Sequence, residues 1–281
     1  MSNKRDNIVF FGGQEMLKDE LIARAQEESL PLKILEKEAL QIYILSELFA
    51  LPESTLLTFQ GGTCLRLVYN GARYSEDLDF VTTANDSQIA QIVNSLTKAL
   101  VRLEPLFGGK FIVKKQKASS TFFRYRIHNE KENYHDSFFV SLELARYPAY
   151  TLNIAPLRPQ KDLPGLPLTL VRAETLEEIL ADKLCAIAGR PFCKGRDYFD
   201  LWLLKQQGIK LDVNLLKKKL KDYSASSVNL SRGLKFASTE SLKNEMDRFL
   251  PKKYRQQFET DGYVGMLQAA KALIKEGIRA L

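Results

Sequence analysis

The stretch from Phe59 to Val81 constrains this 281-residue chain more than any other. It opens on Gly61-Gly62-Thr63, continues through the amphipathic run Leu65-Arg66-Leu67-Val68-Tyr69, and closes on Arg73-Tyr74-Ser75-Glu76-Asp77-Leu78-Asp79-Phe80-Val81. Leu56 to Phe59 reads as a short apolar strand, the glycine pair as a turn that lets backbone N–H groups approach a ligand, and a helix follows. The closing segment is again a strand. Side chains alternate along a strand, so Asp77 and Asp79 share one face while Leu78 and Phe80 turn into a core.

Two adjacent carboxylates repel, and one is driven to hold a proton unless a cation lies between them. Oxygen donors of this kind suit Mg²⁺, which takes one or two carboxylates together with substrate phosphates. The glycine turn can hold those phosphates through main-chain N–H groups. An Asp-x-Asp alone is an ordinary surface or turn feature, and a lone Gly-Gly is no more specific. The strand before the glycines and the strand carrying the acids together narrow the pattern to a metal-nucleotide site.

The Gly-Gly-Thr turn, the Arg73-x-Ser75 pair and Asp77-Leu78-Asp79-Phe80 resemble the first motif of the AbiEii/AbiGii-type nucleotidyltransferase toxins, a branch of the DNA polymerase β-like superfamily. The resemblance implies an α+β fold: a polymerase β-like sheet flanked by helices, with a helical C-terminal lobe. Glu36-Lys37-Glu38 is similar to an acidic-lysine-acidic element that precedes the glycine motif in the same family, but the residues themselves read first as an exposed helix turn.

Composition sets the bounds. Hydrophobic residues at 45% and charged residues at 27% describe an ordinary globular chain. No window of eighteen uninterrupted apolar residues and no signal-like N-terminus is present, so no membrane partner is expected. Cys64, Cys185 and Cys193 form neither a zinc spacing nor a disulfide framework, which points to the cytoplasm. A formal charge of +7 favours a polyanionic partner. The cations cluster at Lys114, Lys115 and Lys117; Arg124 and Arg126; Lys217, Lys218, Lys219 and Lys221; and Lys252, Lys253 and Arg255. Each run reads as a solvated face or as a nucleic-acid contact.

Along the chain, residues 1 to 13 read as an arm whose Ile8 to Phe11 cover core surface. Helices are expected over Glu15 to Glu28, Leu32 to Phe49 and, capped by Asp86, as far as Leu103. Strands are expected over Phe111 to Gln116, Thr121 to His128 and Phe138 to Ala145. In the last, Phe138, Val140, Leu142 and Leu144 form one face and leave Glu143 on the other. The resemblance makes Glu143 a third metal ligand; strand statistics alone allow an exposed sheet-surface glutamate. Tyr147 to Leu170 is proline-rich and aperiodic. The chain is therefore expected to divide into a catalytic lobe over residues 1–150, a connection over 151–170 and a helical lobe over 171–281.

From Ala173 the pattern is helical, and Lys183 falls on the apolar stripe of Leu176, Ile179, Leu180, Leu184 and Ile187. Such a lysine pairs with a phosphate or carboxylate, or else snorkels to water. Arg196-Asp197-Tyr198-Phe199-Asp200-Leu201 then resembles the family's later Arg-Asp-x-x-Asp-Leu signature. The resemblance implies that Lys183 holds triphosphate oxygens, that Arg190 or Arg196 adds charge, and that Asp200 supports that lysine or acts as a base. On the residues alone, Asp197 is an N-cap and Asp200 a first-turn acid. Helices are expected again over Asp212 to Lys221, Ser238 or Thr239 to Phe249, and Gly262 to Ala280.

Taken together, the resemblance implies a nucleotidyltransferase using an NTP and Mg²⁺ or Mn²⁺. Asp77 and Asp79 would be the metal-binding acids, and Gly61, Gly62, Thr63, Arg73 and Ser75 would position the nucleotide. It implies an RNA acceptor such as the tRNA 3′ end, and a toxin restrained by a cognate antitoxin in a toxin-antitoxin or phage-defence pair. A phosphotransferase, a transferase acting on protein or a small molecule, and a non-catalytic RNA- or antitoxin-binding protein are the alternatives.

Overall fold

A computed structural model describes residues 13–159, 163–192 and 194–281. The expected arm and Cys193 lie outside the described residues. Two compact units emerge, and neither is continuous in sequence: the first comprises the chain to Asn70, Tyr74–Pro148 and Ile154–Ala173, the second Gly71–Arg73, Ala149–Asn153 and Glu174–Leu281.

The first unit begins with α1 (Gly13–Glu28) and α2 (Leu32–Phe49), then β1 (Leu57–Gln60), α3 (Gly61–Leu67), β2 (Asp77–Thr82), α4 (Asp86–Leu100) and α5 (Glu104–Phe107). Strands β3 (Lys110–Ala118), β4 (Phe122–Glu130) and β5 (Phe138–Ala145) follow, and β6 (Leu152–Pro156) and β7 (Leu170–Glu174) complete a seven-stranded sheet ordered β3-β4-β5-β2-β1-β7-β6. The sheet is mixed: β2 runs parallel to β5 and β1 to β7, while the β1-β2, β3-β4 and β4-β5 pairs are antiparallel. Leu78, Phe80, Val140, Leu142, Leu144 and Ile127 are buried on its core side. There they pack with α2, whose Leu35, Ala39, Ile42 and Leu45 are buried in turn.

Several expectations shift. The cap of α4 is Asn85, not Asp86: its side chain accepts from Gln88 N while Gln88 reaches back, closing a capping box. The helix ends at Leu100 and tightens into a 3₁₀ turn over Val101–Leu103. The proline-rich stretch after Tyr147 contains β6 at the sheet edge, where a strand needs a ladder on one side only.

The second unit consists of α6 (Leu176–Gly189), α7 (Gly195–Gln206), α8 (Val213–Asp222), α9 (Ser227–Phe236), α10 (Thr239–Phe249), α11 (Lys252–Glu259) and α12 (Val264–Arg279). Its helices approach closely. A Cβ on Gly233 would lie 2.3 Å from Ile187 Cγ2, and the Tyr198 hydroxyl donates to the Gly233 carbonyl at 2.6 Å. Lys219, expected in a solvated or nucleic-acid-binding run, is instead fully buried. Its ammonium sits 2.8 Å from Glu174, 2.7 Å from Glu178 and 3.0 Å from Asp182. Burial works against its charge, but the three carboxylates outweigh it and raise the lysine pKa. Burial and the neighbouring Asp182 push Glu174 well above the usual carboxylate range.

Candidate active site

In the first unit, β2 places Asp77 and Asp79 half-buried, flanked by the fully buried Leu78 and Phe80. Asp77 stands opposite Ser141 and Asp79 opposite Glu143 on β5, while Gln60 of β1 stands opposite Asp79. Residues in register point to the same side of a sheet, so Asp77, Asp79 and Glu143 share a face. The alternation read from the sequence is realised on both strands. Strand adjacency, which no local pattern encodes, brings the third acid into line.

Gly61 is held at φ +80°, and a Cβ there would lie 2.5 Å from Asp79 Oδ2. Only glycine supplies both that conformation and that space. The Thr63 hydroxyl donates to the Asp77 carbonyl, and Gln41 Nε2 donates to the Ser75 carbonyl at 3.1 Å. Lys37 Nζ lies 2.7 Å from Glu76, the residue before Asp77. The backbone around the two acids is thus pinned from α3 and from α2.

Helix α3, with Gly61 and Gly62 in its first turn, is anchored by a buried ionic network. Arg66 Nε donates to Glu38 Oε2 at 2.6 Å and Arg66 Nη2 to Glu38 Oε1 at 3.3 Å. Arg24 Nη2 reaches the same Glu38 oxygen at 3.3 Å and the Tyr74 hydroxyl at 3.0 Å, and Tyr74 donates to Glu28 at 2.7 Å. The exposed-turn reading of Glu36-Lys37-Glu38 therefore fails at Glu38, which is 2% exposed. Its place three residues after Leu35 and four before Ile42 was the sequence signal for this burial.

Asp77 and Asp79 form an all-oxygen, anionic pair, the donor chemistry a magnesium-type ion takes from protein. Glu143 is engaged elsewhere: Arg124 Nε donates to its carboxylate at 2.7 Å. Among the described residues no group of three or more His, Cys, Asp or Glu side chains is arranged to hold a metal ion. The fit to a divalent cation rests on the β2 pair.

The remaining expected residues belong to the second unit. Asp200, 1% exposed, accepts two bonds from Arg73: Nε to Oδ1 and Nη2 to Oδ2, both 2.6 Å. Lys183 Nζ is 2.6 Å from Asp200 Oδ2 and 3.3 Å from Asp197 Oδ1, and Arg190 also pairs with Asp197. Burial opposes ionisation of Asp200, but Arg73 and Lys183 overcome it and hold the carboxyl below its ordinary value. Lys183 is shifted down, by burial first and by the cations Arg73 and Arg190, against the pull of Asp200. Arg73, Lys183 and Arg190 are thus gathered around Asp197 and Asp200.

This arrangement decides two alternatives. Lys183 is 9% exposed and carboxylate-paired, so it does not snorkel. The cap of α7 is Lys194, which moves Asp197 inside the first turn and Asp200 beyond it. Arg196 turns toward α10, with its N–H bonded to Glu245 at 3.1 Å and its guanidinium 4.9 Å from the Phe249 ring centre.

Solved structures share this fold, three among them as follows. JHP933 from Helicobacter pylori aligns with a TM-score of 0.52 at 20% identity, covering 89% of this chain and 95% of its own. A putative nucleotidyltransferase from H. pylori gives 0.51 at 19%, covering 89% and 98%. MenT4, a nucleotidyltransferase toxin from Mycobacterium tuberculosis H37Rv, gives 0.56 at 18%, covering 95% and 88%. No curated protein matches the sequence. The class is therefore the α+β fold of these structures, a mixed sheet with flanking helices. Residues 43–272 match the family described as "Nucleotidyl transferase AbiEii toxin, Type IV TA system", and the chain belongs to it. No helix among the described residues is long and apolar enough to cross a membrane.

Proposed function

We propose that this nucleotidyltransferase toxin moves a nucleotidyl group from an NTP to an RNA 3′ end, with tRNA as the acceptor the family resemblance implies. It would act in the cytoplasm against a cognate antitoxin, in growth control or phage defence. The observation that carries the reading is the β2 acid pair set against Gly61, where the Asp79 carboxylate takes the space a Cβ would fill and so lies directly against the glycine turn.

In this reaction the acceptor hydroxyl oxygen bonds to the α-phosphorus and gives up its proton to water, the bond from the α-phosphorus to the α–β bridging oxygen breaks, and pyrophosphate leaves. Asp77 and Asp79 would hold a Mg²⁺ or Mn²⁺ ion, which supplies charge neutralisation at the phosphates. Glu143 joins them only if it exchanges Arg124 for the ion. Gly61, Gly62 and Thr63 offer main-chain groups to the phosphates, while the Thr63 hydroxyl and buried Ser75 keep the acid strand in place. Most of the rate enhancement comes from positioning and charge stabilisation.

For the second unit the reading assigns Lys183 and Arg190 the binding of phosphate oxygens. A phosphate reaching Lys183 competes with Asp197 and Asp200. Asp200, held ionised by two cations, is a poor proton acceptor and acts by orienting Arg73 and Lys183.

The test incubates the protein with small RNA, Mg²⁺ and each NTP labelled at the α-phosphate or, in a parallel reaction, at the γ-phosphate, with Asp79→Asn as control. Label in RNA with wild type alone is the expected result. Label entering RNA from the γ-phosphate would show phosphotransfer instead, and label on another acceptor would remove RNA from the reading. Full activity in Asp79→Asn would remove the site. Lys183→Ala is expected to raise the apparent KM for NTP more than it lowers activity on saturating NTP.

A further inference from the structure

The sheet face that carries Asp77, Asp79 and Glu143 does not stop at β5. Antiparallel register continues it across β4, where Arg124 stands opposite Glu143, Arg126 opposite Ser141 and His128 opposite Phe139. From β4 it passes to β3, where Lys117 stands opposite Arg124, Lys114 opposite Arg126 and Ile112 opposite His128. Residues in register share a face, so one continuous surface runs from the acid pair to the edge of the sheet. Its far side is the core, with Phe123, Tyr125 and Ile127 buried.

The surface is cationic and aromatic together. Lys114 and Lys117 are exposed, and Arg124, Arg126, His128 and Phe139 are half-buried. The Arg126 guanidinium lies 4.4 Å from the Phe139 ring centre, and the His128 and Phe139 rings are 5.4 Å apart. Arg124 is paired with Glu143 and Lys114 with Glu130, whereas Arg126 has no carboxylate partner among the described residues and its buried Nε donates to nothing there. Burial and the positive charges of Lys114 and Arg126 depress the His128 pKa against the pull of Glu130, so its ring is neutral at pH 7. Lysines on an edge strand also deter strand pairing. That role explains β3, but not an unpaired arginine held over an aromatic ring on the interior strand β4.

We propose that this face receives the single-stranded 3′-terminal segment of the acceptor RNA, with Lys114, Lys117 and Arg126 on its phosphates and the His128–Phe139 ring pair under an unstacked base. Unpaired bases stacked on aromatic rings, with arginine and lysine along the backbone, are the common mode of single-strand recognition. Within a duplex the bases are paired and stacked, so it offers phosphates but no unstacked single base for the ring pair. The proposal rests on the reading that RNA is the acceptor, and it adds where and in what form the RNA is held.

The test measures anisotropy of a fluorescent 12-nucleotide single-stranded RNA, and of the same sequence as a duplex, against the full chain without NTP. Wild type is expected to prefer the single strand. Lys114→Ala/Arg126→Ala should flatten the slope of log Kd against log salt by about 1 to 1.5, the loss of two single-strand phosphate contacts. Lys114→Ala alone, at an exposed edge position, should remove about half of that. His128→Ala should weaken binding about tenfold at an unchanged slope, and His128→Phe should restore it. Binding and slope unchanged in all variants, or preference for the duplex, overturns the proposal. If RNA is labelled by wild type and equally by these variants, the acceptor reading stands and this face is wrong. If the variants lose binding as expected but wild type labels no RNA, the face stands as a single-stranded RNA site and the acceptor reading falls.

Discussion

Asp200 shows how one buried residue organises its surroundings. Removing a carboxylate that accepts two bonds from Arg73 and an ion pair from Lys183 leaves two buried cations facing each other. Breaking a buried pair in this way costs about 3–5 kcal/mol, because the surviving charge loses its compensation. Asp200→Asn, measured by urea unfolding at pH 7, is expected to lose stability of that order. The pH dependence follows from the direction of the shift. The folded-state pKa of Asp200 lies below its ordinary value of 3.8, so its contribution is present above that value and disappears as pH falls through the lower folded value. The stability gap between wild type and variant should therefore be constant at neutral and mildly acidic pH and close only below about pH 3.8. A gap that closes near pH 6 would place the effect on another group.

At the scale of elements, α3 is a seven-residue helix too short to persist by itself. The Arg66–Glu38 pair, backed by Arg24 and Tyr74, fixes it against α2. Arg66→Ala is expected to cost about 3–5 kcal/mol, whereas Arg66→Met/Glu38→Leu should recover a substantial part, since an apolar pair of similar volume replaces a buried ion pair at little loss. A double-mutant cycle on unfolding free energies gives the coupling, and additive effects would show that the network does not hold the helix. The same elements show what was legible. Helix α2, strand β5 and helix α10 were read with their observed ends because each carries an unbroken apolar period. The acid pair was readable from alternation alone. Helices α9 and α11 were not: α9 depends on Gly233 meeting Ile187, and in α11 Phe258 is the buried residue. The Lys219 cage was missed: Glu174, Glu178 and Asp182 recur every four residues without marking a partner, and the lysine looked like surface charge. Long-range pairings such as Asp79 with Glu143, or Glu38 with Arg66, have no local signature.

At the scale of the whole molecule, the formal charge of +7 is a property of the surface. The buried charges nearly cancel, with Arg24, Arg66, Arg73, Lys183 and Lys219 set against Glu38, Glu174, Glu178, Asp182, Asp197 and Asp200. Exposed Lys114, Lys115, Lys117, Lys217, Lys218, Lys221, Lys252 and Lys253 carry that excess. Such a surface attracts a polyanion by releasing its counterions, and the gain shrinks as salt rises. A long RNA acceptor and an acceptor of two or three nucleotides should therefore respond differently. Raising salt from about 50 to about 200 mM should lift the apparent KM of the long acceptor at least about tenfold, as expected when a few phosphate contacts are screened. The short acceptor, which spans too few phosphates to use the wider surface, should shift only a few-fold, and the apparent KM for NTP should change similarly little. Equal salt sensitivity for long and short acceptors would confine recognition to the nucleotides next to the reacting end and leave the basic exterior to solubility alone.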